Sequence, residues 1–404
     1  MKLLFVILIL LSCAYTVLLN IMRRRSASNP TPDNLSDVYD AETYERWKKY
    51  SGEHCTLDLV NTLVSSAITL ILILTDAYAA FSSLFADDFY LQIISVIIVD
   101  EGVGAIIGTV FGYIGTMVIE QKYGFNRSTL RTFIFDRLRA FMLGFTLSFA
   151  LVLAIYSTYE SFGDLMLPVF VGALFAFLLL FSFLFPFFGR LANKFTPLPD
   201  GELRARLSDL LTRHGYTVRR IEIMDASRRT TKLNAYFTGL GRSKRIVLYD
   251  NLVNAMTTDE ICAVFAHELG HGLHRDVLKS QVLNLLNFTA IAAVACLVVR
   301  DPSIYTAFGY QEINYGFAYV LIGIALGVIS PLLGMLINAR SRAAEYSADK
   351  QAVDEGYGPA MITALKRLAR ENFSNLSPSR LNVVMEYSHP PLAERIAAVE
   401  KNME

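Results

Sequence analysis

The chain has 404 residues, of which 53% are hydrophobic and 18% are charged, and its 37 basic residues balance its 37 acidic ones. Soluble domains usually carry about 25% charged residues, so this composition excludes an ordinary soluble protein and indicates a membrane protein. A net charge of zero gives no support to nucleic-acid binding, and no nucleic-acid partner is expected. The four scattered cysteines form no C-x-x-C pair, which argues against a disulfide framework or a cysteine zinc site.

Several stretches reach the length of about 20 apolar residues that a membrane-spanning helix needs. The first could be a signal peptide, but Arg23, Arg24 and Arg25 directly after it favour a retained anchor. The seven predicted spans are residues 2–20, 58–81, 91–119, 140–158, 165–188, 279–299 and 316–338.

The charges of the loops predict how these spans are oriented. The loops after the first and third spans are basic, as is the stretch 189–278, whereas the loops 82–90 and 159–164 are acidic. Because cytoplasmic loops carry the excess of Lys and Arg, we expect the N-terminus outside and both large polar blocks in the cytoplasm. The expected division is spans one to five in 1–188, a cytoplasmic segment in 189–278, spans six and seven in 279–338, and a cytoplasmic C-terminal segment in 339–404.

Polar and small residues interrupt the third predicted span. Asp100 and Glu101 fall in its middle. A carboxylate within the hydrocarbon is costly unless it faces a cavity or a partner, so these two residues predict a polar interior. Glycines at positions 108 and 112 have the spacing of a close helix–helix contact. The two interpretations are compatible, and both stay open.

The segment Thr258–Arg275, TDEICAVFAHELGHGLHR, predicts a helix with Thr258 as its N-cap. His267 and His271 are four residues apart, so both imidazoles leave the same face and can bind one zinc ion. Glu268 can act as general base towards a water molecule at that metal. The His-Glu-x-x-His pattern also occurs by chance in soluble helices, but here small residues surround the histidines.

A catalytic zinc site needs a third protein ligand and an open position. Glu345, in SRAAEYSADKQA after the seventh predicted span, is the best candidate because it would lie on the same side of the membrane. Asp349 and Arg342 flank it at helical spacing, which suits a ligand with supporting residues. The alternative is a solvated helix face with charge pairs. His274 is interpreted as a solvated or supporting residue rather than as a ligand.

These motifs together resemble the type I CAAX prenyl proteases, which are integral-membrane zinc endopeptidases that process farnesylated C-termini. Beyond FAHELGHG and SRAAEYSAD, the similarity includes EQKYGFNRST, NKFTPLPDGEL, DASRRTTKLNAYFTGL, KRIVLYDNL and SHPPLAERI, in the family's order between Glu120 and Ile396. The resemblance implies a mainly α fold. Its seven-helix transmembrane bundle would enclose a chamber, and its cytoplasmic zinc metalloprotease domain would carry a small β-sheet.

The resemblance also implies roles for individual residues. It makes Glu345 the third zinc ligand, with Asp349 behind it, and lets Arg342 either steady the site or meet the substrate carboxylate. His389 would donate a hydrogen bond to the oxyanion; without the resemblance, a structural turn residue is the better interpretation. An edge strand that pairs with the substrate backbone is implied for Asn234, Ala235 and Tyr236, with an ordinary exposed strand as the alternative.

The expected activity is the removal of the C-terminal tripeptide from prenylated, in particular farnesylated, CAAX proteins, with a further upstream cut as a second reaction. One Zn²⁺ ion per chain is expected, and the partners are prenylated proteins or peptides and the lipid bilayer. The membrane would be the endoplasmic reticulum in a eukaryote and the cell inner membrane in a prokaryote. The alternatives are a broad-specificity membrane quality-control metalloprotease, a transporter or channel that uses the Asp100/Glu101 cavity, and a catalytically silent scaffold.

Overall fold

The computed structural model describes residues 1–215, 221–238 and 245–404, and helices dominate it. The helices are α1 (Lys2–Ser26), α2 (Ala41–Leu74), α3 (Ala77–Ser82), α4 (Phe89–Tyr113), α5 (Gln121–Tyr123), α6 (Leu130–Phe162), α7 (Met166–Ala192), α8 (Glu202–Arg213), α9 (Asp250–Ala255), α10 (Thr258–Leu273), α11 (Asp276–Arg300), α12 (Pro302–Thr306), α13 (Tyr315–Asp354), α14 (Gly358–Glu371), α15 (Arg380–Met385) and α16 (Leu392–Met403). A π-helical segment, Ile114–Glu120, joins α4 to α5.

Within the described ranges, six helical segments are long and apolar enough to cross a membrane. One of them, Leu130–Phe181, combines α6 and α7, which are separated at Gly163, where the backbone φ is +49°. Each of the seven predicted spans therefore overlaps a helix, while the number of crossings stays a prediction. The six segments are Lys2–Ser26, Ala41–Leu74, Phe89–Tyr123, Leu130–Phe181, Leu278–Arg300 and Tyr315–Asp354.

The second predicted span differs from the helix that contains it. We expected one helix over 58–81, but α2 already begins at Ala41 and ends at Leu74. Asp76 has a left-handed backbone, with φ of 56°, and this conformation interrupts the helix before α3. The Asp76 carboxylate lies 2.6 Å from Lys2 Nζ, so an ion pair connects this break to the first turn of α1.

Polar side chains begin the long apolar helices in the expected way. Asp40, Asp88, Thr129 and Asn314 each accept a hydrogen bond from a backbone N–H in the first turn of α2, α4, α6 and α13. Such an N-cap contributes about 1 kcal/mol by satisfying a donor that has no partner within the helix. The caps therefore fix the residues at which these four helices begin.

The apolar helices pack around a core that contains Phe170, Tyr305 and Phe317. Beside this core lies a cavity of about 390 Å³, and Asp100 is part of its lining. Tyr78 donates a hydrogen bond to Asp100 at 2.7 Å, so this carboxylate has both the cavity and the partner that its position requires.

The carboxylate of Glu101, next to Asp100 on α4, also has hydrogen-bond partners, and the glycines of this helix test the predicted close packing. Ser148 and Tyr319 donate hydrogen bonds to Glu101 at 2.6 and 2.7 Å. A Cβ atom added to Gly108 would meet no atom within 4 Å, so this glycine faces open space. A Cβ atom at Gly112 would instead meet the Arg137 side chain of α6, so the close-packing interpretation is wrong for Gly108 and holds for Gly112.

A small sheet lies in the polar part of the chain. Its strands are β1 (Phe195–Pro197), β2 (Ile221–Met224), β3 (Ala235–Thr238) and β4 (Arg245–Tyr249), in the order β1-β2-β4-β3. β2 and β4 are parallel, and the other two pairs are antiparallel. Among the strands that the structure describes, β3 is at an edge, with Ala235 paired to Leu248 of β4.

The two large polar blocks share hydrophobic cores. Leu248 and Phe265 of the first block pack in one cluster with Ala364 of the second. A neighbouring cluster contains Trp47 of α2 and Ile396 of α16. Hydrophobic side chains from the loop after α1 also pack in this cluster, which we did not predict. The polar segments before α11 and after the membrane portion of α13 therefore form one packed unit, on which the candidate site is built.

Candidate metal centre

The helix that carries His267 and His271 is fixed at its N-terminus by a capping box. Thr257, one residue before the predicted cap, accepts a hydrogen bond from the Glu260 N–H, and the Glu260 carboxylate accepts one from the Thr257 N–H. Buried apolar side chains such as Phe265 then hold α10 within the core. As a result, His267 is buried and His271 is half-buried, each at a fixed position.

The third candidate ligand comes from α13, which runs out of the bundle core and alongside α10. Glu345 and Asp349 lie one turn apart on this helix, and both are buried. Gly270 allows the close approach of the two helices, because a Cβ atom at this position would come within 3.0 Å of the Ala348 Cα and of the Gln351 Cβ. Gly270 therefore makes room for α13.

His267, His271 and Glu345 come together as a possible metal site, with one ligand atom from each residue within 4.8 Å of the others. His267 Nε2 lies 3.5 Å from one Glu345 oxygen, and His271 Nε2 lies 3.3 Å from the other. Ligand atoms at about 2.0–2.2 Å from a tetrahedral zinc ion are about 3.3–3.6 Å apart, so each of these two nitrogen–oxygen contacts has the separation expected of a pair of zinc ligands. Glu345 Oε2 is also buried and accepts no hydrogen bond from the described residues, although a guanidinium nitrogen of Arg395 lies 3.1 Å away.

The far side of each imidazole contacts a carboxylate. His267 Nδ1 lies 2.8 Å from Asp349, and His271 Nδ1 lies 3.1 Å from Asp276. Such contacts fix the ring orientation and leave each Nε2 directed at Glu345, which is typical of metal-binding histidines. Asp276 was not among the residues chosen from the sequence, although it follows His271 by only five positions.

A buried arginine balances the carboxylates of α13. Arg395, from α16, donates two hydrogen bonds to Asp349, at 2.6 and 2.8 Å, and its Nη1 lies 3.1 Å from Glu345 Oε2. Burial alone would raise the pKa of Glu345, but the hydrogen bond from His271 and the nearby cations lower it to about 2. The pKa of Asp349 is likewise well below its usual range, because hydrogen bonds from Arg395 and His267 outweigh its burial. Both carboxylates are therefore ionised at neutral pH.

A cavity of about 360 Å³ opens beside the cluster. Glu268 lines it together with His271 and Glu345, so the predicted base and two candidate ligands face the same space. His389 also lines the cavity, with Nε2 3.4 Å from Glu345 and Nδ1 2.9 Å from the Ser388 hydroxyl. The cavity thus offers a space for a peptide bond between a general base, a metal site and a potential hydrogen-bond donor.

The remaining predicted site residues lie near the cluster. Arg342 donates hydrogen bonds to the backbone carbonyls of Val383 and Tyr387, at 2.8 and 2.7 Å, so it holds the segment that leads to His389. Ala235 and Tyr236 belong to edge strand β3, which packs against α10, and Asn234 immediately precedes it. His274 is the C-cap residue of α10 and is not part of the three-residue cluster.

Comparison with known proteins connects this arrangement to a family. A family model described as "Peptidase family M48" matches residues 197–403. A second model, described as "CAAX prenyl protease N-terminal, five membrane helices", matches residues 20–190. The chain belongs to the CAAX prenyl protease family of M48 peptidases. It is therefore a metalloprotease with several membrane helices, and the matches do not favour the transporter, scaffold or broad-specificity alternatives.

Individual members of the family resemble the chain over almost its whole length. The CAAX prenyl protease 1 homolog of Oryza sativa subsp. japonica is 31% identical over 396 residues, covering 95% of this chain and 93% of that protein. The CAAX prenyl protease 1 of Saccharomyces cerevisiae is 28% identical over 403 residues, covering 91% and 88%. A crystal structure of S. mikatae Ste24p matches with a TM-score of 0.92 and 27% identity over 99% of both chains. The predicted family is thereby confirmed.

Proposed function

We propose that this chain is a zinc endopeptidase that removes the C-terminal tripeptide from prenylated, in particular farnesylated, CAAX proteins and makes a further upstream cut. The observation that carries the proposal is the cluster of His267, His271 and Glu345 at a cavity shared with Glu268, in a chain of this family. The names of the relatives support the substrate class. One zinc ion per chain would be bound by these three side chains.

Each residue at the cavity has a proposed role in peptide hydrolysis. When bound, zinc polarises the scissile carbonyl and lowers the pKa of a water molecule. Glu268 takes a proton from the attacking water and passes it to the leaving amine. His389 donates a hydrogen bond from Nε2 to the oxyanion, and Asp349 and Arg342 hold the ligands and the His389 segment in place.

The substrate backbone is proposed to pair with β3. This strand pairs with β4 on one side, and it packs against the helix that carries two metal ligands. The carbonyl of Asn234 already accepts a hydrogen bond from the Tyr249 N–H of β4. Ala235 and Tyr236 are therefore the residues whose backbone would pair with the substrate. An extended peptide added here would run alongside α10 towards the cavity.

The membrane arrangement belongs to the same proposal. The chain would cross the bilayer seven times, with α6 and α7 as separate crossings and the metal centre on the cytoplasmic side, as the basic loops indicate. The membrane would be that of the endoplasmic reticulum in a eukaryotic cell and the inner membrane in a prokaryotic one. In this orientation the apolar bundle offers a path for the substrate lipid beside a cytoplasmic active site.

The proposed specificity is tested by comparing two peptides that differ only in the farnesyl group. Purified protein should release the C-terminal tripeptide from the farnesylated peptide and leave the unmodified peptide intact. Glu268→Ala should release none, although it keeps the three metal ligands. Equal cleavage of both peptides, or of an unfolded membrane protein, would instead favour the quality-control activity.

A further inference from the structure

A second charged cavity, of about 430 Å³, lies between the first turns of α6 and the loop that follows β2. It is remote in sequence from the metal ligands, and the proposed mechanism does not use it. Its charged lining consists of four arginines and two aspartates, a net charge of +2 at neutral pH. These residues are Arg131, Arg139, Arg228, Arg229, Asp136 and Asp225.

Backbone contacts hold the two walls of this cavity together. The N–H of Arg127 donates a hydrogen bond to the Arg229 carbonyl at 3.0 Å, and Asn126 forms a β-bridge with Thr230. Across the same junction, the side chains of Arg229 and Asp136 form an ion pair. The loop is therefore fixed against the start of α6.

The arginines outnumber the carboxylates that could neutralise them. Asp136 is shared between Arg229 and Arg139, and its contact with Arg139 is long, at 3.9 Å. Arg131 forms no ion pair with any residue in the described ranges, and its guanidinium lies 5.7 Å from the ring centre of Phe135. Arg131 and Arg139 are both exposed, so they are free to contact an added anion.

The position of the cavity along α6 places it at the membrane surface. Arg139 is the last charged residue before residues 140–159, which contain none. Twenty helical residues rise about 30 Å, the thickness of the hydrocarbon core, so Arg139 lies at its boundary. Arg131, eight residues earlier, lies about 12 Å further out, where its long side chain can reach the outer part of a large lipid headgroup. Leu138, next to Arg139, is exposed, as expected for a residue at the edge of the hydrocarbon core.

We propose that this cavity binds the headgroup of an anionic phospholipid from the surrounding bilayer. One guanidinium group can donate two parallel hydrogen bonds to two oxygens of the same phosphate. Basic pockets beside membrane helices are therefore suited to anionic lipid headgroups. The depth of Arg139 matches the phosphodiester, whereas Arg131 would meet a second anionic group further out. The preferred lipid is therefore one with an additional charge on its headgroup, such as a phosphatidylinositol phosphate, and a zwitterionic lipid is disfavoured.

Binding of a short-chain lipid to the purified full-length protein in nonionic detergent tests this site without reference to peptidase activity. Dissociation constants would be measured for dioctanoyl phosphatidylinositol 4-phosphate and for dioctanoyl phosphatidylcholine. Each arginine at a membrane surface contributes about fivefold to anionic lipid binding, so Arg131→Gln/Arg139→Gln should bind the phosphoinositide about 25-fold more weakly. The control Lys350→Gln/Lys401→Gln removes the same charge from exposed sites elsewhere and should bind like the wild type.

Two results would overturn the proposal. The first is equal phosphoinositide affinity in the arginine variant and in the lysine control. The second is binding of free inositol 1,4-bisphosphate as tightly as the lipid, which would identify a site for soluble anions. If the double variant fails to fold, Arg131→Gln alone carries the test, since this exposed side chain has no ion pair within the described ranges to lose, and a loss of about fivefold is then expected.

Discussion

Glu345 and Asp349 are one turn apart on α13, yet their surroundings differ. One Glu345 oxygen is buried without a hydrogen bond from the described residues and has only an ion-pair contact with Arg395, whereas Asp349 accepts two hydrogen bonds from Arg395 and lies 2.8 Å from His267 Nδ1. The first arrangement suits a metal ligand and the second suits a residue that orients another ligand. A glutamate and an aspartate with similar sequence surroundings are thus distinguished by their contacts.

Asp276 is expected to act in the same way on His271. Asp276→Asn keeps the size of the side chain and removes the charge 3.1 Å from His271 Nδ1, so zinc affinity should fall by about 10- to 100-fold. Titration with zinc buffers measures this change. Asp259→Asn is the matched control, because Asp259 is exposed on the first turn of α10 and should leave the affinity unchanged. Equal affinities in the two variants would remove Asp276 from the site.

Arg395 is expected to stabilise the fold as well as the site. In Arg395→Met, Asp349 remains completely buried and loses the cation that neutralises it, so the free energy of unfolding should fall by about 3–5 kcal/mol. Arg300→Met provides the control, since Arg300 pairs with a fully exposed Asp164 and should cost less than about 1 kcal/mol. Chemical denaturation in detergent compares the two. An equal loss of unfolding free energy in both variants would contradict the conclusion that burial makes the Arg395–Asp349 pair important for stability.

At the scale of elements, the close packing of α10 on α13 keeps the three candidate ligands together. Gly270→Ala adds a Cβ atom that would lie 3.0 Å from the backbone of Ala348, so one helix has to move. Overpacking of this kind costs about 1–3 kcal/mol of stability, and we expect zinc affinity to fall with it. A thermal melt and a zinc titration test both effects.

Gly334→Ala is the matched control for this variant. Gly334 is also a helical glycine, on α13, but a Cβ atom at this position would meet nothing within 4 Å. Alanine is the better helix former, so this variant should be neutral or up to about 1 kcal/mol more stable. Destabilisation of both variants to the same extent would show that the effect does not depend on the contact between α10 and α13.

The predictability of these elements follows from the range of the interactions that define them. Apolar composition located the helices of the bundle, because a membrane span is a local property of the sequence. It did not locate the start of α2, since the polar residues between Ala41 and the bilayer continue the helix within the polar unit. The left-handed backbone of Asp76 was also missed, because its ion-pair partner Lys2 is far away in the sequence, in the first turn of α1.

The same reasoning applies to the candidate site. His267, Glu268 and His271 could be chosen from one helical turn, and Glu345 from a motif with regular spacing. Arg395 could not be found this way, because only the packing of α16 against α13 brings it to Asp349. The SHPPLAERI segment contains it, so the resemblance identified the segment, but only the contact identifies the residue.

For the whole molecule, α13 connects the membrane bundle to the polar unit. Phe317 near its start is buried in the bundle core, and Glu345 near its end is at the candidate metal centre. A helix of this length rises about 60 Å, so one element reaches from the bundle core to the proposed cleavage site, with Pro331 between the two. A substrate with a lipid and a peptide end can therefore be bound by both parts at once.

The most direct test of the proposed activity is tripeptide release from a farnesylated CAAX peptide as zinc is added back to metal-free protein. The release rate should rise from near zero and reach its plateau at one zinc ion per chain. Glu268→Ala should bind the same amount of zinc and remain inactive, because it lacks the general base. Release without metal, or release by Glu268→Ala at the wild-type rate, would contradict a zinc-dependent peptidase centred on these residues.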